Sequence, residues 1–248
     1  MITGGNAGIG KAAAELFAAE GARVVIVDLE KDETFHSVAE GIRKAGGEAI
    51  AVHGDVTSAE DCVRAFEETI KAYGKIDILV NNAGVSDYFC QTLKVTDEYW
   101  NKVVEINQNG VFYFCREALK YFTRQKYGTI VNVSAIAGIQ GNAGLAYSAT
   151  KHAVVGMTKN IAIQYAGTDI RCNAVCPGAT LTNMMNDYVL ENVVDREMWA
   201  IVSKTQLNDE DVPPMDPLRQ AYVILFLASD ESYAITGQAI ISDRGKFL

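Results

Sequence analysis

Six short runs of mostly Val, Ile and Leu recur along the chain, at residues 23–28, 49–54, 76–81, 129–134, 170–176 and 238–242. Apolar side chains at successive positions predict strands covered on both faces. Between these runs the apolar residues fall at helical spacing, over 10–19, 32–45, 59–73, 96–124, 147–165 and 216–228. The alternation predicts right-handed crossovers and an α/β fold, a doubly wound, mostly parallel sheet with helices on both faces. Thr57 with Glu60 reads as a capping box, and Asp216 before Pro217 as a cap followed by a first-turn proline. No repeat, low-complexity tract or linker divides residues 1–248, which read as one domain. The rhythm breaks over 181–215, an acidic, irregular stretch containing Pro213-Pro214. Ligands of open α/β sheets bind beyond the carboxyl ends of the strands. A long insertion after the strand at 170–176 is therefore expected to overhang that site as a substrate lid.

The chain opens with glycines spaced Gly4-x-x-x-Gly8-Ile9-Gly10, with Asn6 inside the loop and a helical pattern directly after it. Such a turn brings backbone N–H groups and a helix N-terminus to a diphosphate. Only Met1 and Ile2 precede Thr3, so the leading strand reads as truncated, and the expectation is that residues upstream of Met1 complete it. A missing central strand would leave two neighbours with open edges. The next strand ends in Asp28, whose carboxylate suits ribose hydroxyls and repels a 2′-phosphate. No Lys or Arg lies between Gly5 and Gly8, and both facts favour NAD over NADP as the cofactor. Two further strand ends fit the same crevice. Asp55 and Val56 could meet the adenine, and Asn82, Ala83 and Gly84 let a ribose lie close to the backbone.

Tyr147 and Lys151 stand four apart at the start of a helical pattern, hence on one face. An ammonium beside a phenol stabilises the phenolate, so such a tyrosine could exchange a proton with an alcohol or ketone oxygen. Ser134 ends a strand 13 residues earlier, where its hydroxyl could hold that oxygen. Asn107 interrupts a long helical pattern; its side chain or a kinked backbone could bind a water that relays protons to Lys151. Pro177 and Gly178 turn the chain after the next strand, and Thr180 or Thr182 could bind the nicotinamide carboxamide.

Composition narrows the partners. A formal charge of −9 argues against nucleic acid or an anionic membrane surface. No run of about 18 apolar residues implies a membrane span, and no signal-peptide pattern opens the chain. The five cysteines are scattered and odd in number, which fits reduced thiols in a cytoplasmic protein. The three histidines are far apart in sequence, so no metal site is expected. Residues 111–122 carry apolar side chains on more than one helical face, which invites a partner copy.

Taken in order, Gly4-x-x-x-Gly8-Ile9-Gly10, Asp55, Asn81-Asn82-Ala83-Gly84, Asn107, Ser134, Tyr147-x-x-x-Lys151 and Pro177-Gly178 resemble the short-chain dehydrogenase/reductase family over nearly the whole chain. The resemblance implies a seven-stranded Rossmann-type sheet, commonly a homotetramer, and NAD(P)-dependent chemistry on an alcohol or ketone. It implies a catalytic set of Asn107, Ser134, Tyr147 and Lys151, with Lys151 also holding the nicotinamide ribose. Three departures stand out besides the match. The leading strand is short. Aligning on Gly138 puts Ala135 in the serine's place, whereas counting back from Tyr147 selects Ser134, the only hydroxyl there. The usual Asp-Gly-Gly ending appears as Asp243-Arg244-Gly245, with Arg244 near the nicotinamide end or at a subunit contact.

The expected activity is oxidation of a secondary alcohol or reduction of a ketone. Met184, Met185, Tyr188, Met198 and Trp199 point to an apolar, bulky substrate such as a steroid or cyclic alcohol, or simply pack the lid down. The alternatives are a reductase of 3-oxoacyl groups on acyl carrier protein, and a nucleotide-binding regulator whose chemistry has decayed.

Overall fold

The computed structural model describes residues 1–29, 35–185 and 195–247. Its seven strands are β1 (Ile2–Thr3), β2 (Arg23–Asp28), β3 (Glu48–His53), β4 (Ile78–Asn81), β5 (Tyr127–Val133), β6 (Asp169–Pro177) and β7 (Ala239–Ser242). They form one sheet in the order β3-β2-β1-β4-β5-β6-β7, every pairing parallel. The order reverses between β1 and β4, and that switch point is where such sheets open a crevice.

Side chains alternate across each strand, and the two faces have separate cores. Val25, Val27, Leu79 and Ile130 face one way, toward α3 (Ala59–Tyr73), α5 (Gly110–Gln125) and α7 (Leu145–Gln164). Val24, Ile26, Val80 and Val131 face the other, toward α1 (Gly8–Ala19) and α2 (Ser37–Lys44). Ala137–Gln140 forms α6 and Arg196–Val202 α8, and the last α-helix among the described residues, α9 (Pro217–Ala228), covers the same face as α1 and α2. This is the doubly wound sheet that the continuous apolar runs predict.

The leading strand, β1, is two residues long and paired on both sides, Ile2 opposite Ile26 and Val80, Thr3 opposite Val27. Gly4 N donates to Val27 O at 2.8 Å and Val80 N to Met1 O at 2.9 Å. Around its start lies a cavity of about 240 Å³ whose lining includes Met1, Phe17, Arg23, Tyr73 and Ile76.

Helix ends follow local chemistry, with one correction. Asp216 caps α9, accepting from Leu218 N at 2.7 Å ahead of Pro217. The capping box expected at Thr57 and Glu60 is displaced by one residue. Ser58 Oγ accepts from Asp61 N at 3.1 Å, because the Thr57 hydroxyl is engaged with Asp55 Oδ1 at 2.8 Å. The long helix expected over 96–124 is α4 (Asp97–Val104), a π-helical turn (Glu105–Asn109) and then α5. Residues 32–34 of the helix expected over 32–45 lie outside the described residues.

Candidate active site

The carboxyl ends of the strands frame a cavity of about 420 Å³. Along one side run Gly4, Ala7, Gly8, Ile9 and Asp28, and Asn82, Ala83 and Gly84 line it from the end of β4. Ser134, Tyr147 and Lys151 line its wall, and Pro177, Gly178, Thr180 and Thr182 complete it from the turn after β6.

The glycine loop is built for close approach. Gly4 has φ +63, and a Cβ there would lie 2.9 Å from Ala83 Cα. Gly10 packs so tightly that its Cβ would sit 2.1 Å from the Gly4 carbonyl oxygen. Asn82 Nδ2 donates to the carbonyls of Thr3 and Gly4 at 3.0 Å each, and Thr3 Oγ1 accepts from Asn82 N and Ala83 N. The loop and the end of β4 are thereby stapled together.

Helix α1 starts at this loop with Ala7 as N-cap, no capping side chain and no acidic residue in its first turn. Its unsatisfied N–H groups and positive dipole end suit an anion. Asn6 adds a side-chain amide buried without a hydrogen-bond partner among the described residues. Asp28 sits alongside, its Oδ2 accepting from Asn6 N at 3.0 Å and its Oδ1 from Leu29 N at 2.8 Å. These residues are of the kind that could hold a nicotinamide dinucleotide, the bare helix end its diphosphate and the acidic strand end its ribose hydroxyls.

On the opposite wall, Lys151 is 4% exposed, and its Nζ donates to the Val133 carbonyl at 3.0 Å. The ammonium lies 5.5 Å from the centre of the Tyr147 ring. Burial pulls its pKa from 10.5 down to about 8. Ser134 Oγ donates to the Lys151 carbonyl at 2.9 Å and is buried. Ala135 lines the cavity beside it.

Several expected residues stand behind the cavity rather than in its lining. Asn107 lies in the π-helical turn, fully buried, its Oδ1 accepting from Val85 N and its Nδ2 donating to Val85 O, each at 2.8 Å. A Cβ on Gly84 would lie 3.1 Å from Asn107 Oδ1 and 3.4 Å from Lys151 Nζ, so both polar groups crowd that glycine. Asp55 turns onto Thr57, accepting from its N–H and hydroxyl at 2.8 Å. Val56 packs against Gly110, and Gly10 supports the loop from within. Within the lining, by contrast, Thr182 lies against Gly8, 3.0 Å from where a Cβ would be. Thr180 Oγ1 donates to Gly178 O.

From the stretch expected to form a lid, Met184, Met185 and Trp199 line the cavity and Met198 is not in its lining; Tyr188 lies outside the described residues. Phe89 meets Trp199 edge-on with ring centres 5.0 Å apart. Arg244 is exposed, away from the cavity, and takes the left-handed conformation (φ 58) that glycine more often fills. Residues that the sequence reading does not single out include Thr3, Asp87, Asn142 and Phe247. The last three line the cavity, and the Asn142 amide is buried without a hydrogen-bond partner among the described residues. A polar residue five positions before Tyr147 was the only signal for Asn142.

Comparison with known proteins agrees with this architecture. A family profile described as enoyl-(acyl carrier protein) reductase matches residues 4–246. The chain is 38% identical to the 3-oxoacyl-(acyl-carrier-protein) reductase FabG of Thermotoga maritima, over 99% of this chain and 96% of that protein. It is 34% identical to 3beta-hydroxysteroid dehydrogenase 2 of Eggerthella lenta, over 99% and 93%. Among solved structures, levodione reductase superimposes with a TM-score of 0.88 at 30% identity, covering 98% of this chain and 95% of the other. With its glycine loop, Tyr-x-x-x-Lys helix and seven-stranded sheet in register, the chain belongs to the short-chain dehydrogenase/reductase family, whose members are alcohol and ketone oxidoreductases that bind a nicotinamide cofactor.

Proposed function

We propose that the protein is an NAD-dependent dehydrogenase or reductase of a secondary alcohol or ketone with an apolar, cyclic body, of hydroxysteroid type. One observation carries this reading: Tyr147 and the buried Lys151 share a helix face and a cavity with the glycine loop. When bound, the nicotinamide accepts or gives hydride at the substrate carbon. Tyr147 takes the alcohol proton, or returns it to a ketone oxygen. Lys151, fixed on the Val133 carbonyl, stabilises the phenolate and holds the nicotinamide ribose. Ser134 lends its oxygen lone pairs to the substrate hydroxyl, since its own proton is committed to the Lys151 carbonyl. Asn107 clamps Val85 and supports the proton relay to Lys151.

Asp28 supports NAD over NADP by charge. Met184, Met185, Phe89 and Trp199 support an apolar substrate held under a lid formed by 181–215, and the Eggerthella relative has a steroid-directed name. The second reading, a 3-oxoacyl-(acyl carrier protein) reductase, is favoured by the Thermotoga relative. It calls for a basic docking surface, which the −9 charge opposes. A single-domain homo-oligomer in the cytoplasm completes the proposal. Five free cysteines support the location. A groove of about 610 Å³ lined by Phe112, Leu119, Met157 and Ile161 supports association through α5 and α7.

The test follows reduced-nicotinamide absorbance with hydroxysteroids, cyclic alcohols, polyols and 3-hydroxyacyl thioesters, each with NAD and NADP. Tyr147→Phe is expected to lower kcat at least about a hundredfold on the active substrate. Full activity of that variant overturns the reading.

A further inference from the structure

Helix α7 begins without a cap of its own. Its N-cap is Gly144, which has no side chain to accept from the first-turn amides, where Ser, Thr, Asp or Asn usually serves. The acceptors come from the loop after β4. Asp87 Oδ2 takes the Tyr147 N–H at 2.9 Å, and the Cys90 carbonyl takes the Leu145 N–H at 3.4 Å. A Cβ on Gly144 would lie 2.3 Å from both carboxylate oxygens of Asp87. Glycine stands there because a foreign carboxylate fills the place of the capping side chain; its φ of −68 and ψ of 168 would suit serine equally well.

Asp87 is 1% exposed and lines the cavity with Tyr147. Burial pushes its carboxyl up, while the amides of Tyr147, Phe89 and Ala146 hold it down. Burial is the larger effect, and the positive end of a 20-residue helix offsets it in part. The loop is bent to deliver it: Tyr88 and Phe89 both have positive φ, 51° and 60°, an unfavourable conformation for side chains other than glycine. Tyr99 Oη braces the bend by donating to Ser86 O at 3.0 Å.

We propose that Asp87 is a positioning residue for Tyr147, its carboxylate capping helix α7 from outside and fixing the turn on which the phenol is mounted. The proposal rests on the reading of Tyr147 as the acid/base group. Lys151, one turn on, is tied independently to Val133. Loss of the outside cap therefore moves the phenol relative to the ammonium rather than moving both.

The test is a second-site rescue. D87A is expected to speed hydrogen exchange at the Ala146 and Tyr147 amides and to lower kcat at least about tenfold, with NADH affinity unchanged. G144S alone collides with the carboxylate and lowers kcat. D87A/G144S, with the cap moved onto the helix itself, restores slow exchange and most of the kcat. D87N retains an acceptor oxygen and keeps the Tyr147 amide protected. Undiminished kcat and slow exchange in D87A overturn the proposal, as does a folded double variant no better than D87A. Should D87A not fold, recovery of folding in the double variant supports the cap and its failure to fold overturns it. Hydrogen exchange needs no turnover, so its outcome is separate from that of the acid/base reading, which Y147F decides.

Discussion

Lys151 Nζ donates to the Val133 carbonyl oxygen at 3.0 Å while standing 5.5 Å from the Tyr147 ring, a cation held at working distance by the sheet rather than by a carboxylate. Buried to 4% exposure, it is harder to protonate in the folded protein than in the unfolded chain. Between about 8 and 10.5 the unfolded chain binds more protons, so stability from this group rises with pH. Below about 8 the penalty is complete, on the order of 3 kcal/mol.

Lys151→Met therefore gains most over the wild type near neutrality, and the gain shrinks as the pH approaches 10. Urea unfolding of both proteins at pH 7 and pH 10 measures it. An identical difference at the two pH values would show that no buried ammonium is being relieved.

Asp28 is expected to make kcat/KM for NAD exceed that for NADP by at least about tenfold, since juxtaposed like charges cost several kcal/mol. Asp28→Ala should narrow the ratio by about the same factor. Steady-state kinetics with the two coenzymes decide it, and an unchanged ratio in the variant removes Asp28 from coenzyme selection.

Gly10→Ala drives a methyl into the Gly4 carbonyl, 2.1 Å away, and the Asn82 amide, 2.5 Å away. Overpacking of this kind costs about 1–3 kcal/mol. The variant should melt lower and bind NADH more weakly, measured by calorimetry and fluorescence titration. Wild-type values in both would mean the loop tolerates displacement from β4.

Ser134→Ala removes one donor to the Lys151 carbonyl and one cavity-facing oxygen. A net hydrogen bond is worth about 1 kcal/mol, so kcat should fall by about fivefold, far less than in Tyr147→Phe. A loss as large as that of the tyrosine variant would place Ser134 on the reaction coordinate itself.

The parts of this molecule legible in its sequence are those whose cause is local. Continuous apolar strands and helical spacing mark the sheet, and Asp216-Pro217 marks a helix start, because neighbours along the chain set them. Asn107 was legible as an interruption, and the structure gives the interruption its form, a π-helical turn between α4 and α5. What stayed hidden depends on residues far apart. Thr3 meets Asn82 and Ala83 across about 80 positions, and Asp87 meets Tyr147 across 60. The capping box failed for a related reason: Asp55 competes for the Thr57 hydroxyl and shifts the cap to Ser58.

Thr180 pairs with Met215, Leu181 N donates to Met215 O at 2.8 Å, and Met215 N donates to Ala179 O at 2.9 Å. The two ends of the 181–215 stretch are thus strapped to each other where it leaves and rejoins the body. Changes between these two points reach the sheet through that strap and through further ties, in which Asp195 N donates to Tyr88 O at 3.1 Å and Leu207 N to Lys246 O at 2.8 Å. A transplanted segment would therefore have to bring its own partners for Tyr88, Lys94 and Lys246 along with it.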